Sequence, residues 1–398
     1  MAMVRISVSA SVLKWAMERS RRSLVDFRAK FPKLAEWLRG DSQPTLKQLE
    51  EFAKATHAPF GYFFLTEPPV ERIPIPDFRT MPGADFARPS PELLDTIYMC
   101  QQRQEWYREH AQLMGEEPLV FVNSVRLGAD IARTASSIRD ALGLFEPLGV
   151  VARTNADALR IVLERVDALG VLVMVSGYVG ANTRRRLDPE EFRGFALVDP
   201  FAPLVFVNGT DTKAAQLFTL IHELAHIWTG ESGISDVSIS PNTHFEVERW
   251  CNAVAAEVLA PLAGFRAALR PRAELFREAG RLADIYRVST LVVLRRMLDA
   301  GRLTREEHDR AYRRESARLS ALIAAREESG EGGTGGNYYA TARFRLSTRF
   351  ATAVIASTWE GRSTFTEAFR LLGCRNVRTL ETLGERLGMA KYLSGGPV

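Results

Sequence analysis

The chain has few cysteines, little net charge and no long apolar run. Its 398 residues include three cysteines, Cys100, Cys251 and Cys374, and none belongs to a CxxC pair. This sparse, odd set argues against a disulfide framework and a cysteine-rich zinc site, and it favours a reducing compartment. No segment approaches the roughly 20 apolar residues of a membrane helix, and residues 1–5 lack the apolar core of a signal peptide. The sequence therefore predicts a cytoplasmic protein with no membrane partner.

The formal net charge of +4 is too small to indicate a nucleic-acid partner for the whole chain. Its distribution is uneven, because residues 1–65 contain 11 Lys or Arg against 6 Asp or Glu, a surplus of five. A basic first domain is consistent with contact to DNA phosphates. It is equally consistent with a solvated helical surface. The sequence therefore leaves two interpretations of residues 1–65 open, one with DNA as a partner and one without.

The strongest motif lies in the segment Thr219–Trp228, which contains HExxH. On a helix, His222 and His226 project from one face, where both imidazoles can bind one Zn²⁺. Glu223 lies beside them and is the predicted catalytic base for a water molecule. The alternative is an amphipathic helix with two incidental histidines, but the chain has only six histidines in all. Thr210 or Asp211 is the predicted N-cap, and Gly230 the predicted end, of this helix.

A zinc site of this kind needs a third protein ligand, and we predict Glu248. It lies near the start of a second predicted helix over residues 245–261, where Asn252 follows one turn later on the same face. Asn252 can therefore orient a ligating imidazole through its other ring nitrogen. His244 lies in a Pro/Asn-rich loop and is a weaker candidate. Glu246 and Glu257 are fallback ligands whose simpler interpretation is solvated helix charge.

These segments resemble the ImmA/IrrE family of metallopeptidases, in the branch with an N-terminal Xre-type helix-turn-helix. The residues that carry the resemblance are Gly194–Asp199, Pro203–Asn208, Phe218–His226, Glu248 and Cys251–Pro261. The resemblance implies that His222, His226 and Glu248 bind zinc and that Glu223 is the general base. It also implies cleavage of repressor-like proteins in stress responses and mobile elements, or a setting beside toxin-like genes.

The first 65 residues resemble an Xre-type domain only in their later half. Trp37, Gly40 and Pro44 have the expected spacing, but the stretch from Phe27 to Gly40 is shorter than a turn plus recognition helix. A shortened recognition helix would reach poorly into a major groove. Protein docking is therefore a second interpretation of this helix-turn-helix-like domain.

The predicted fold class is α+β and mostly helical, with a small β-sheet packed on a zincin-like HExxH helix core and helical N- and C-terminal modules. Strands are predicted at 171–175, 195–198 and 204–207, and the outer strand could bind an extended substrate backbone. The predicted domains are residues 1–65 (helix-turn-helix-like), 66–91 (Pro-rich linker), 92–148 (helical connector), 149–265 (peptidase core), 266–329 (helical extension), 330–336 (Gly-rich linker) and 337–398 (C-terminal helical module).

The sequence therefore predicts a zinc-dependent endopeptidase that cleaves a regulatory protein, either a repressor or a toxin-like partner. The competing interpretation is an antitoxin-like or transcriptional regulatory binding protein whose metal site is structural or weakly active. The basic first domain and the extra C-terminal module favour this second interpretation, because a bare peptidase needs neither. A plain DNA-binding repressor is a third interpretation, and the shortened first domain argues against it.

Overall fold

The structure is a computed structural model that describes residues 5–20, 24–77, 89–235, 246–328 and 346–393. The chain divides into two compact units, one of residues 1–74 and 82–97 and the other of residues 75–81 and 98–398. Helices dominate both units, as the sequence predicts. In the described part of the chain, no helix is both long enough and apolar enough to cross a membrane.

The first unit is built from short helices around an aromatic core. Its helices are α1 (Ala10–Arg19), α2 (Leu24–Lys30), α3 (Leu34–Arg39) and α4 (Leu46–Thr56), followed by a 3₁₀ turn (Phe60–Phe64). The Phe52 ring lies at the centre of this core, with the rings of Phe31, Trp37 and Phe63 at centroid distances of 5.2–6.3 Å. The helix after the turn, α3, has only six residues, in agreement with the predicted shortening.

The second unit contains fourteen further helices among its described residues. They are α5 (Pro91–Leu113, which begins in the first unit), α6 (Ile131–Ala141), α7 (Leu148–Val151), α8 (Asn155–Leu169), α9 (Lys213–Thr229), α10 (Glu246–Leu259), α11 (Leu262–Ala268), α12 (Leu275–Tyr286), α13 (Thr290–Asp299), α14 (Arg305–Glu328), α15 (Thr348–Trp359), α16 (Phe365–Leu372), α17 (Val377–Arg386) and α18 (Ala390–Leu393).

A four-stranded mixed sheet completes the second unit. Its strands are β1 (Leu172–Ser176), β2 (Gly194–Leu197), β3 (Leu204–Asn208) and β4 (Gly233–Ser235), in the spatial order β1-β3-β2-β4. β1 runs parallel to β3, whereas β2 is antiparallel to both β3 and β4. The three predicted strands are confirmed to within about a residue. β4 was not predicted, because its three residues carry no alternating pattern of their own.

One hydrophobic core joins segments that the sequence assigns to three successive domains. It contains Ile138 from the predicted connector, Leu224 and Val254 from the predicted peptidase core, and Val293 from the predicted extension. α9 lies at its centre and packs against α8, α10, β2 and β3. This burial explains why α9 carries apolar side chains around nearly its whole circumference.

The helix α6 begins only at Ile131. Before it, the backbone N–H groups of Asn123 and Val125 donate to the carbonyls of Ile227 and Trp228 in the last turn of α9. Asp130 then caps α6 by accepting from the N–H of Arg133 at 2.7 Å. Residues 121–130 therefore satisfy the carbonyl end of another helix instead of extending α6.

The C-terminal helices pack against α5 and α8. The buried guanidinium of Arg103 on α5 donates to the carbonyl oxygen of Leu371 at 2.9 Å. Arg349 binds the Tyr107 hydroxyl at 2.5 Å and the Glu116 carboxylate at 2.6 Å. Asp167 on α8 accepts from Ser347 and from the N–H of Arg349. The predicted linker at 330–336 lies outside the described residues.

Candidate metal centre

The two histidines of the motif lie on one face of α9. Thr212 caps this helix by accepting from the N–H of Ala215, and Gly230 ends it with a φ of 79°. The predicted end is confirmed, but Thr210 and Asp211 are wrong as N-caps, because the Thr212 hydroxyl is the group within reach of the free N–H. Nε2 of His222 and Nε2 of His226 are 3.2 Å apart. Both rings therefore present a nitrogen to the same point.

Glu248 on α10 faces the same point from the opposite side. Its carboxylate oxygens lie 3.2 Å from Nε2 of His222 and 3.1 Å from Nε2 of His226. Zn–N and Zn–O bonds of about 2.0–2.1 Å in a tetrahedron place ligand atoms about 3.3–3.4 Å apart. The two nitrogens, and each nitrogen with the carboxylate oxygen nearer to it, are thus separated by nearly the distance between neighbouring ligand atoms of a tetrahedral site. These three residues could hold a metal ion.

Asn252 fixes the orientation of one histidine ring. Its Oδ1 lies 3.0 Å from Nδ1 of His222. Because this amide oxygen can only accept, Nδ1 carries the proton and Nε2 keeps its lone pair for a metal. Asn252 therefore lies where it can orient the His222 imidazole, as the sequence predicts.

We expect Asn252→Ala to weaken zinc affinity about 10- to 100-fold, because His222 loses the acceptor that selects its tautomer and ring orientation. Competitive titration against a zinc-binding dye measures this change. Asn252→Asp retains an oxygen acceptor for Nδ1–H and should bind zinc with affinity close to that of the unsubstituted protein. Equal affinities for the alanine variant and the unsubstituted protein would exclude this positioning role.

Glu223 lies against a glycine of the adjacent strand. A Cβ atom at Gly194 would lie 2.9 Å from Oε1 of Glu223, 2.6 Å from Cγ2 of Thr219 and 2.8 Å from the carbonyl oxygen of Phe206. The carbonyl belongs to the paired strand β3 and has no freedom to move aside. A glycine is thus required for β2 to approach α9 closely enough to contact the motif carboxylate.

Gly194→Ala should destabilise the protein by about 1–3 kcal/mol, because the added methyl group overpacks the contact between β2 and α9. Chemical denaturation measures this loss. Gly280→Ala is the matched control, since a Cβ atom there meets nothing within 4 Å on helix α12. That change should stabilise by about 0.5–1 kcal/mol. A neutral Gly194→Ala variant would show that β2 and α9 are not in the described contact.

The site combines complete burial with acidic and imidazole groups. The side chains of His222, Glu223, His226 and Glu248 are all 0% exposed. Without a metal, burial acts to raise the pKa of Glu248, but charge interaction and hydrogen bonds with protonated imidazoles outweigh it and hold the pKa at about 2. A metal bound to the two Nε2 atoms would take the place of those protons. Burial lowers the pKa of His226, which favours the neutral ring that a metal requires. With both rings in the neutral form that a metal requires, two ionised carboxylates would leave a buried negative charge that a divalent cation would neutralise.

The other candidate ligands do not join this cluster. Glu257 instead binds the Arg296 guanidinium and accepts from the N–H of Leu262 at 3.1 Å. Glu246 is exposed at the start of α10, and His244 lies outside the described residues. Burial raises the pKa of the nearby Cys251 thiol well above its ordinary value, and the charges of Glu248 and Glu223 raise it further. Cys251 is therefore a neutral packing group.

One of the two outer strands of the sheet, β4, is already paired by the chain itself at Ile234. The N–H of Ile234 on β4 donates to the carbonyl oxygen of Pro76 at 2.9 Å, and Asp77 forms a parallel bridge with Ile234. At Ile234, β4 therefore does not offer an open edge to a substrate, and strand addition at a predicted outer strand stays a prediction. Pro76 occurs in a run that reads as a spacer, and its pairing with a strand 158 positions further along the chain has no local signal.

Two family models match parts of the chain. A peptidase model described as an IrrE N-terminal-like domain matches residues 166–298, which include β1–β4, α9 and α10. A domain of unknown function matches residues 346–386, in the C-terminal helices. No curated protein matches the chain. The first match supports the ImmA/IrrE family and a peptidase-like function for the part of the chain that holds the candidate metal centre.

Proposed function

We propose that this protein is a zinc-dependent endopeptidase of the ImmA/IrrE type. The observation that carries the proposal is the buried cluster of His222, His226 and Glu248, in which the two Nε2 atoms lie 3.2 Å apart and each lies 3.1–3.2 Å from one oxygen of the carboxylate. Three protein ligands leave a fourth position for water or substrate, which is typical of catalytic rather than structural zinc. The match of residues 166–298 to a peptidase family supports the same conclusion.

Each residue of the site has a distinct task in this proposal. Zinc bound there would act as a Lewis acid, making water acidic enough to lose a proton near neutral pH. Glu223 accepts that proton and delivers it to the amide nitrogen as the peptide bond breaks. Asn252 keeps Nε2 of His222 unprotonated through the contact at Nδ1. The apolar core around α9 keeps bulk water away from these groups.

We propose that the substrate is a regulatory protein, either a repressor or a toxin-like partner, in a stress-response, mobile-element or toxin–antitoxin setting. The resemblance of the motif segments to ImmA/IrrE peptidases supports this substrate class. DNA contact through residues 1–65 stays a prediction, which retention of DNA by the full chain and by a chain lacking residues 1–65 would test.

New protein N-termini that appear in cells test the peptidase proposal, whatever the substrate is. Cells that produce the full chain should contain cleavage products that are missing from cells producing Glu223→Gln at the same level. Zinc content of the two purified proteins should be equal, because Glu223 is not one of the three ligands. Identical sets of N-termini would reject the peptidase function.

A regulatory binding protein with a structural or weakly active metal site is the second candidate function. Complete burial of the four site side chains favours it, since a working peptidase must admit a peptide. In that case Glu223→Gln would retain the regulatory effect in cells, whereas Glu248→Ala, which removes a ligand, would abolish it.

A further inference from the structure

Two cavities lie beside α9, and one residue of this helix lines both. One has a volume of about 920 Å³ and includes Asn252 in its wall. The other has a volume of about 820 Å³ and includes Thr219. Phe218 lines both. Asn252 contacts the ligand His222, and Thr219 lies one helical turn before Glu223, so we treat the cavities as two arms of one groove that passes the site at Phe218.

The larger cavity, here called the arginine arm, is lined by an excess of guanidinium groups. Five arginines face three acidic residues: Arg249, Arg266, Arg295, Arg296 and Arg305 against Asp130, Glu257 and Asp299. The described residues of its wall include no lysine. Arginine is the residue best suited to carboxylates, because its planar group donates two parallel hydrogen bonds to both oxygens.

Part of this charge is already neutralised inside the arm. The buried Arg296 guanidinium contacts Glu257, Asp299 at 3.1 Å and the carbonyl oxygen of Ala260 at 3.0 Å. Arg295 also contacts Asp299 at 3.1 Å. In this network, Glu257 and Asp299, two of the three acids of the arm, are paired with arginines. The same contacts hold α10, α11 and α13 together. It forms the fixed floor of the arm.

Three arginines form no ion pair with an acidic side chain among the described residues, although the charge of Arg305 helps to lower the pKa of Asp309 on the next turn of α14. Arg249 and Arg305 are exposed and have no hydrogen bond or ion pair there. Arg266 binds only the carbonyl oxygen of Asp299, at 3.2 Å. The third acid, Asp130, is occupied by the α6 cap. The arm therefore offers donors and positive charge that the chain itself does not satisfy.

The smaller cavity lacks this imbalance. Its three basic residues are Arg193, Lys213 and Arg318, and each has a described partner. Arg193 lies 3.6 Å from Asp211, Arg318 binds Glu315 at 2.6 Å, and Lys213 donates to Gln216 at 3.2 Å. The two arms thus differ in charge, so the two ends of a bound peptide would meet different electrostatic surroundings.

We infer that the arginine arm binds acidic side chains of the substrate, on one side of the scissile bond. This inference rests on the proposed peptidase function. The arm follows α10 from Arg249 to Glu257, about 12 Å at 1.5 Å per residue. An extended peptide covers that length in about four residues. The substrate class is accordingly a polypeptide segment with Asp or Glu within about four residues of the cleaved bond. Because β4 is paired at Ile234, the groove rather than this edge of the sheet receives the segment.

Cleavage of a peptide library by the full-length, zinc-loaded protein tests the inference. The library is a protease digest of a whole proteome, and mass spectrometry reads the newly formed termini. The variant is Arg249→Ala with Arg305→Ala, whose side chains are exposed and can be removed without disturbing the core. The matched control is Arg375→Ala with Arg378→Ala, which removes the same charge from exposed positions far along the chain.

The unsubstituted protein and the control should show enrichment of Asp and Glu within about four residues on one side of the cleaved bond. The Arg249/Arg305 variant should lose that enrichment. For an acidic peptide, its KM should rise about tenfold with kcat unchanged, because remote contacts contribute equally to substrate and transition-state binding. Cleavage by all proteins without acidic enrichment would overturn the inference and leave the peptidase function intact.

Binding to the inactive Glu223→Gln protein separates the two proposals. A fluorescein-labelled acidic peptide and a single-stranded oligonucleotide of equal charge serve as probes. Absence of library cleavage, combined with peptide binding that depends on Arg249 and Arg305, would reject the peptidase function and retain the acidic docking site. Preference for the oligonucleotide, or no binding of either probe, would overturn the docking inference.

Discussion

Replacing Glu223 by glutamine is expected to slow peptide cleavage by a factor of about 10²–10⁴. Glutamine preserves the shape of the buried side chain but cannot accept a proton from water. The proposed ligands His222, His226 and Glu248 are untouched, so the zinc content should stay at one ion per chain. The measurement is kcat/KM on a peptide recovered from the library, together with elemental analysis of the same sample.

Glu246→Gln is the matched control for this experiment. It makes the same chemical change on an exposed residue at the start of α10, two positions before the ligand Glu248. Its kcat/KM should equal that of the unsubstituted protein. If both variants were equally slow, the effect would come from lost negative charge in the region. If neither were slow, Glu223 would not be the base.

Removal of the metal should lower the melting temperature by about 10 °C. The metal-free site buries two carboxylates and two imidazoles with no cation to compensate them. At a free zinc concentration about 1,000 times its dissociation constant, binding stabilises the folded state by about 4 kcal/mol. In domains of this general size, each kcal/mol shifts the melting temperature by about 2–4 °C. Calorimetry before and after treatment with a chelator measures the difference.

Restoration by added zinc distinguishes loss of the metal from general damage by the chelator. The Glu248→Ala protein provides a second control, because a site with one ligand removed should respond little to chelator or zinc. A melting temperature that chelator leaves unchanged in the unsubstituted protein would mean that the folded state does not depend on a metal.

The motif helix was predictable because its information is local. The His222–His226 spacing, the apolar stripe and Gly230 all lie within one helix, and α9 ends where the sequence indicates. Glu248 and Asn252 could also be predicted from the sequence, because a spacing of four residues places them on one face of a helix. Their meeting with α9 was a hypothesis that depended on how two helices pack.

Other features depend on contacts between distant residues. β4 exists because Ile234 pairs with Phe195 on β2 and with Asp77, and neither partner is adjacent in sequence. Glu315 lies in a segment whose many charged residues predict an exposed helix. In the structure it is buried against Thr290 and Arg318. Gly194 matters because it has no side chain, which lets β2 approach α9 closely. A pattern of side chains in the sequence does not reveal this role.

The division of the chain into domains was the feature hardest to predict from the sequence. Pro- and Gly-rich runs indicate linkers, but they do not reveal which flanking segments share a core. Arg103 reaches Leu371 across 268 positions, and Asp167 reaches Ser347 across 180. Such contacts satisfy buried polar groups, and they join the C-terminal helices to α5 and α8 in a way that composition alone does not encode.

X-ray absorption at the zinc edge tests the central claim most directly. For the purified, metal-replete full chain, the account predicts one zinc per chain with two imidazole nitrogens and carboxylate or water oxygens at about 2.0–2.1 Å. The imidazole signal should fall by about half in a His226→Ala protein that still binds zinc. A spectrum without imidazole ligands, sulfur at about 2.3 Å, or purified protein that binds no zinc would contradict it.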